Sequence, residues 1–170
     1  MSGKRRSGKF LLAFVVSALG MFALLLAPPL RPLVEGFSGK LAFAAGWAIR
    51  ACGGACLQQA AFLSNPARGF TMEVRDGCNG ANVVILLWAA ILAYPTGRRW
   101  KAIGLGAGLA AIMPLNLLRL ITLFYLGQYH PSIFEFAHLY LWEMLIIIDA
   151  MAVFALWVRR AKIGTRVMEK

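Results

Sequence analysis

Acidic side chains are few in this chain. Seven Asp and Glu stand against 18 Lys and Arg, and charged residues together make up only 15% of 170 positions. That scarcity excludes an ordinary soluble domain, because 60% of the residues are hydrophobic and fall in long uninterrupted runs rather than at helical or strand periods. Cysteine occurs three times and histidine twice. Cys52 and Cys56 are one helical turn apart, an awkward spacing for a disulfide, and no third or fourth ligand lies near them, so neither a metal nor a cofactor is expected. Both read as packing residues. The absence of a CxxC pair argues against a thiol–disulfide exchange enzyme. No internal repeat with paired broken helices is visible, which argues against a small transporter. The net charge of +11 lies in short blocks between apolar runs, without basic amphipathic faces or interleaved exposed aromatics, so no nucleic-acid partner is expected.

What is present is a membrane pattern. A first apolar run, Phe10 to Leu26, follows the basic stretch KRRSGK and stops at Pro28-Pro29. Its length and poor cleavage pattern make it an uncleaved span rather than a signal peptide. The second run, CNGANVVILLWAAILAYP, starts at Cys78 and is followed at once by TGRRWK. A third extends from about Ala102 to Tyr129 and a fourth from His138 to Val158. The expectation is an all-α integral membrane protein, one membrane domain over 1–170, with about four transmembrane helices near 10–28, 79–95, 102–128 and 138–158.

Four spans put both termini and the TGRRWK turn on one side. Lys4, Arg5, Arg6, Lys9, Arg98, Arg99, Lys101, Arg159, Arg160, Lys162, Arg166 and Lys170 all fall there, twelve of the 18 basic residues. The other side carries Arg31, Lys40, Arg50, Arg68 and Arg75, partly offset by Glu35, Glu73, Asp76 and Glu135. By the positive-inside rule the termini are cytoplasmic; a bacterial inner membrane is the expected location. An outer-face segment occupies about 29–77. Within it LAFAAGWAIRACGGACLQQAAF, 41–62, is interrupted by Arg50, Gly53, Gly54, Gln58 and Gln59 and reads as an interfacial or re-entrant helix. A short extended or hairpin stretch through NPARGFTMEVRDG then leads to Cys78.

Three residues in the outer half of the bilayer invite a chemical reading. Arg119 lies about 10 Å below the outer surface, with Asn116 three residues earlier on the same helix face. It either snorkels or pairs with Glu143 or Asp149 as structural glue, or it works on a substrate, and its desolvation cost favours the work on a substrate. His138 opens the fourth span, where a titratable imidazole meets water; most boundary histidines only cap or bind headgroups. His130, in the preceding loop, has less in its favour. Cys78 is bracketed by Gly77 and Gly80, which permit a tight turn. A helix beginning near Cys78 would favour a thiolate there, whereas a small buried hydrophobe is the ordinary role of a membrane cysteine. A thiolate, an imidazolium and a guanidinium together do acyl transfer.

The blocks EVRDGCNGANVVILLWAAILAYP, RRWKAIGLGAGLAAIMPLNLLRLITLF and HPSIFEFAHLYLWEMLIII resemble, in that order, the exosortase/archaeosortase family of membrane cysteine transpeptidases, and most the compact exosortase H type. The resemblance implies Cys78 as nucleophile, Arg119 as transition-state or substrate-positioning group and His138 as acid/base, with Asn116, Gly80 and Asn79 in support. It also implies substrates: exported proteins with a C-terminal motif, a transmembrane helix and a basic tail, as in PEP-CTERM tails, or with a tryptophan-glycine motif for the compact type. Such a tail would be cut at the periplasmic face through a thioester passed to water or to an acceptor amine. The alternative is a non-catalytic assembly subunit or small transporter, with Arg119, Glu143 and Asp149 holding helices together or lining a pathway and Cys78 inert.

Overall fold

The computed structural model describes the backbone of residues 2–75 and 77–168 and the side chains of 8–75 and 77–162. Asp76 and Lys170 lie outside the described residues, as do the side chains of Lys4, Arg5, Arg6 and Arg166. The elements in order are α1 (Ser2–Leu26), α2 (Arg31–Ala51), a three-stranded sheet of β1 (Leu57–Gln59), β2 (Phe62–Asn65) and β3 (Phe70–Glu73), then α3 (Ala81–Ala93), α4 (Arg98–Tyr129), α5 (Pro131–Phe136) and α6 (Trp142–Met168). A π-helical turn, Ala137–Leu141, joins α5 to α6 into one rod. The chain is an integral membrane protein, mostly helical, with a small strand meander.

Three stretches are long and apolar enough to cross a membrane: Gly8–Leu26, Arg98–Tyr129 and Pro131–Lys162. The second expected span is shorter than 79–95, because α3 has 13 residues and at about 1.5 Å per residue covers roughly 20 Å. The expected span at 138–158 starts earlier instead, since the helical rod is continuous from Pro131. Pro114 sits inside α4 without ending it.

Ends of the bundle can be followed from the packing. Lys9, Phe10 and Ala13 line a cavity with Ala93 and Pro95, while Met21 and Leu24 line another with Ala81 and Ile85, so α1 and α3 run antiparallel. Trp157 near the end of α6 meets Tyr94, Trp100 and Gly104. The N-terminal half of α1, the 94–101 turn and the late part of α6 therefore share one end, the Trp157 end. The Cys78 end holds α2, the sheet and the second half of α4. A cluster of Val84, Leu87, Ile91, Ile112 and Trp157 ties α3, α4 and α6 together. A second, of Ala42, Ala45, Ile49, Leu63, Val74, Leu120 and Phe124, ties α2 and the sheet to α4.

The helix expected over 41–62 is corrected on both sides. It starts at Arg31, with Pro32 in its first turn, where a missing N–H costs nothing. It stops at Ala51 because Gly53 takes φ 82°, and the N–H groups of Gly53 and Gly54 donate to the carbonyls of Arg50 and Ile49 at 2.9 Å each. That is a Schellman C-cap, which a glycine accommodates without a Cβ penalty. The chain then enters the sheet at Leu57, eight residues before the predicted extended stretch. Cys52 consequently stands exposed at the helix end rather than in a packed interior, whereas Cys56 is buried ahead of β1.

Candidate functional site

The turn before α3 sets the position of Cys78. Its N–H donates to the Arg75 carbonyl at 2.9 Å, and two residues later Gly80 takes φ 76°. A Cβ on Gly80 would lie 3.1 Å from Asn116 Cγ, so the glycine also lets the Asn116 amide lie against the turn. The regular helix begins at Ala81 rather than at Cys78, and the Asn79 side-chain oxygen accepts the Ala81 N–H at 3.0 Å. Asn79 thus serves the first turn of α3 and is tied to α2 through Ser38 at 3.2 Å. The helix N-terminus stands three residues from the thiol, so its dipole reaches Cys78 less directly than expected.

Cys78 and His138, sixty residues apart in sequence, meet with Sγ 2.9 Å from Nε2. His138 lies in the π-helical turn, and its ring stacks on Phe134 at 5.7 Å between centroids and 24° between planes. The stacking restrains the plane of the imidazole. Both residues are half-buried at the edge of a cavity of about 330 Å³ that is also lined by β3, Leu120, Leu123 and Phe134.

Arg119 approaches the pair from α4. It is 3% exposed; Nη2 donates to the His138 carbonyl at 3.4 Å and Nη1 lies 3.6 Å from Glu143 Oε2. Its Nε, and both polar atoms of the fully buried Asn116 amide, have no hydrogen-bond partner among the described residues. A buried polar atom without a protein partner costs free energy, so a hydrogen-bonding group brought to these atoms would be stabilised. Burial pushes the Cys78 thiol above its ordinary range; the Arg119 charge pulls it back, and Glu143 pushes it up.

The structure therefore brings Cys78, Arg119 and His138 together, with Asn116, Gly80 and Asn79 around the turn. Glu143, read only as helix glue or pathway lining, reaches the guanidinium, whereas the buried Asp149 Oδ2 finds no partner among the described residues. His130 stays outside at the end of α4. Phe134 was missed, although its position four residues before His138, on the same helix face, is the signal that could have found it.

These features define a membrane-embedded helical bundle with a paired thiol and imidazole beside a buried cation. Residues 1–158 match the family described as transmembrane exosortase, and the chain belongs to that family. Membership places it among membrane transpeptidases in general terms. No curated protein and no solved structure matches the chain.

Proposed function

We propose that the protein is a cysteine peptidase or transpeptidase that cuts C-terminal sorting tails of exported proteins at the periplasmic face of a bacterial inner membrane. The 2.9 Å approach of Cys78 Sγ to His138 Nε2 carries this reading. In it, His138 takes the thiol proton, which offsets the burial that disfavours a free thiolate. The thiolate adds to the scissile carbonyl. Arg119, already desolvated, faces the developing oxyanion, where a fixed cation in a water-poor site is most effective. The His138 imidazolium then protonates the leaving amine, which departs with the substrate's transmembrane segment and basic tail. A thioester to Cys78 is left, and water or an acceptor amine, deprotonated by His138, releases the product. Asn116 and Gly80 hold the turn that presents the sulfur, and Asn79 anchors it to α2.

Charge placement supports the orientation: Lys9, Arg98, Arg99, Lys101, Arg159, Arg160 and Lys162 gather at the Trp157 end, which on this reading is cytoplasmic. The site, at the opposite end, then meets a tail whose own anchor holds its scissile bond at that level. The HPSIFEFAHLYLWEMLIII block suits the exosortase H type, and with it tails with a tryptophan-glycine motif.

The test is a secreted reporter carrying that motif, one hydrophobic segment and a Lys/Arg cluster, co-expressed with the protein. Cleavage is expected with the native chain and none with Cys78→Ala at equal membrane level. Undiminished cleavage by Cys78→Ala would discard the reading in favour of a non-catalytic subunit.

A further inference from the structure

The sheet has two edges, and they are not treated alike. β1 lies beneath α2, and Gln58 on that edge folds its side chain back to the Ala60 carbonyl at 2.7 Å. Among the described residues β3 pairs only with β2, in the register Leu63 with Met72 and Ser64 with Thr71. The Val74 N–H donates to the Ala61 carbonyl at 2.8 Å, one step further along the same register. Since antiparallel ladders alternate, Phe70, Met72 and Val74 turn their backbone groups toward β2, and Thr71 and Glu73 turn theirs away. No backbone hydrogen bond from outside the sheet reaches Thr71 or Glu73 among the described residues.

That free edge borders the site. All four residues of β3 line the same cavity of about 330 Å³ as Cys78 and His138. The strand is held there firmly: Phe70 packs on Phe124 and Phe134 at 5.9 and 6.1 Å, over the bare backbone of Gly127. An open strand edge is a template for another chain, and beside apolar walls its unpaired N–H and C=O groups are costly unless water or a peptide meets them. At about 3.3 Å per residue the edge offers roughly 13 Å, ending at the turn that carries the thiol.

We propose that the β3 edge binds the substrate's extended segment next to the scissile bond as a fourth strand, through the backbone groups of Thr71 and Glu73. This rests on the proteolytic reading above and adds to it how the peptide is held. Backbone pairing accepts many side chains, so the edge sets the register of the scissile bond and leaves side-chain selection to the surrounding pockets. A substrate segment must be extended here, since a helix has already committed its own amides.

Thr71→Pro and Thr71→Val separate the edge from the side chain. Proline at 71 removes an outward N–H and none of the β2–β3 ladder, a position where strands tolerate it. With the tryptophan-glycine reporter, Thr71→Pro is expected to lower cleavage about 10-fold, and Thr71→Val, which keeps the N–H, to retain about fivefold more activity than Thr71→Pro. Iodoacetamide labelling of Cys78 should be unchanged in both. Native cleavage by Thr71→Pro, with Cys78→Ala inactive, would overturn the edge and spare the protease; cleavage by Cys78→Ala would fell both. Should Thr71→Pro lose labelling or membrane level, disulfide trapping decides, using Thr71→Cys with Cys78→Ala and Cys52→Ser. A single cysteine walked along the reporter segment should cross-link at every second position. A flat pattern, a three-to-four-residue period or no cross-link overturns the proposal.

Discussion

The two ends of the bundle are built on different principles. At the Trp157 end, rings meet edge to face, with Tyr94 and Trp157 centroids 5.5 Å apart, and the Trp157 indole N–H donates to the Trp100 carbonyl at 2.8 Å. Gly104 leaves the space that the indole fills. At the Cys78 end, a buried guanidinium and a buried amide keep polar atoms unpaired among the described residues, and a strand edge stays open. The first end leaves Thr96 Oγ1 and Trp100 Nε1 buried without a partner among the described residues, both neutral groups; the second leaves a guanidinium nitrogen and a whole amide so, next to an open strand edge. The costlier unmade bonds, those of a charged group and a complete amide, lie beside the thiol.

Substitutions can break or sharpen this contrast. The largest effect is expected for Arg119→Leu, which should cut reporter cleavage about 100- to 1,000-fold at unchanged membrane level, measured as kcat/KM. A loss below about threefold would move Arg119 from the chemistry to the scaffold. Next, Trp157→Ala should lower unfolding free energy by about 3 kcal/mol in detergent titration, while cleavage per folded molecule stays within about threefold. An equal loss of activity would show that the two ends are not separable. Gly80→Ala places a side chain at φ 76° against Asn116 and should slow cleavage about 10-fold. Smallest is a pH effect. Because the Arg119 charge pulls the raised Cys78 thiol downward, Arg119→Gln shifts its titration further up, so less thiolate is present at a given pH. Iodoacetamide labelling at pH 8 should slow about threefold, and the gap should close as pH rises. Faster labelling of the variant would reverse the assigned sign.

Much of this was readable without coordinates, and the reasons differ by residue. Arg119 and Asn116 announce themselves because lipid makes polar groups expensive, and both are indeed buried. The meeting of Cys78 and His138 follows only once the runs are counted and oriented, since nothing local links residues sixty apart. Local capping was under-read: Gly53-Gly54 was treated as an interruption of a helix through 62, whereas a left-handed glycine followed by a second one is a C-cap. The strands at 57–59 and 62–65 were hidden for the same reason, because short apolar runs look alike in helix and sheet. Arg119 was read as able to pair with Glu143 or Asp149, and spacing alone could not choose between the two acids; the structure pairs it with Glu143. The spacing of Phe134 four residues before His138 put the two rings on one helix face, but their stacked orientation is not encoded by residue type.

The π-helical turn at Ala137–Leu141 has a further consequence. It amounts to one residue inserted in an otherwise continuous rod, and one residue is about 100° of helical phase. The azimuth of α5 is thereby uncoupled from that of α6. Phe134 and His138 can turn toward the thiol while Trp142 and Ile146 keep their own inward setting, and the rod need not be re-aimed as a whole. A lineage that lost this single residue would keep every membrane-facing apolar side chain type and still present a different one to Cys78.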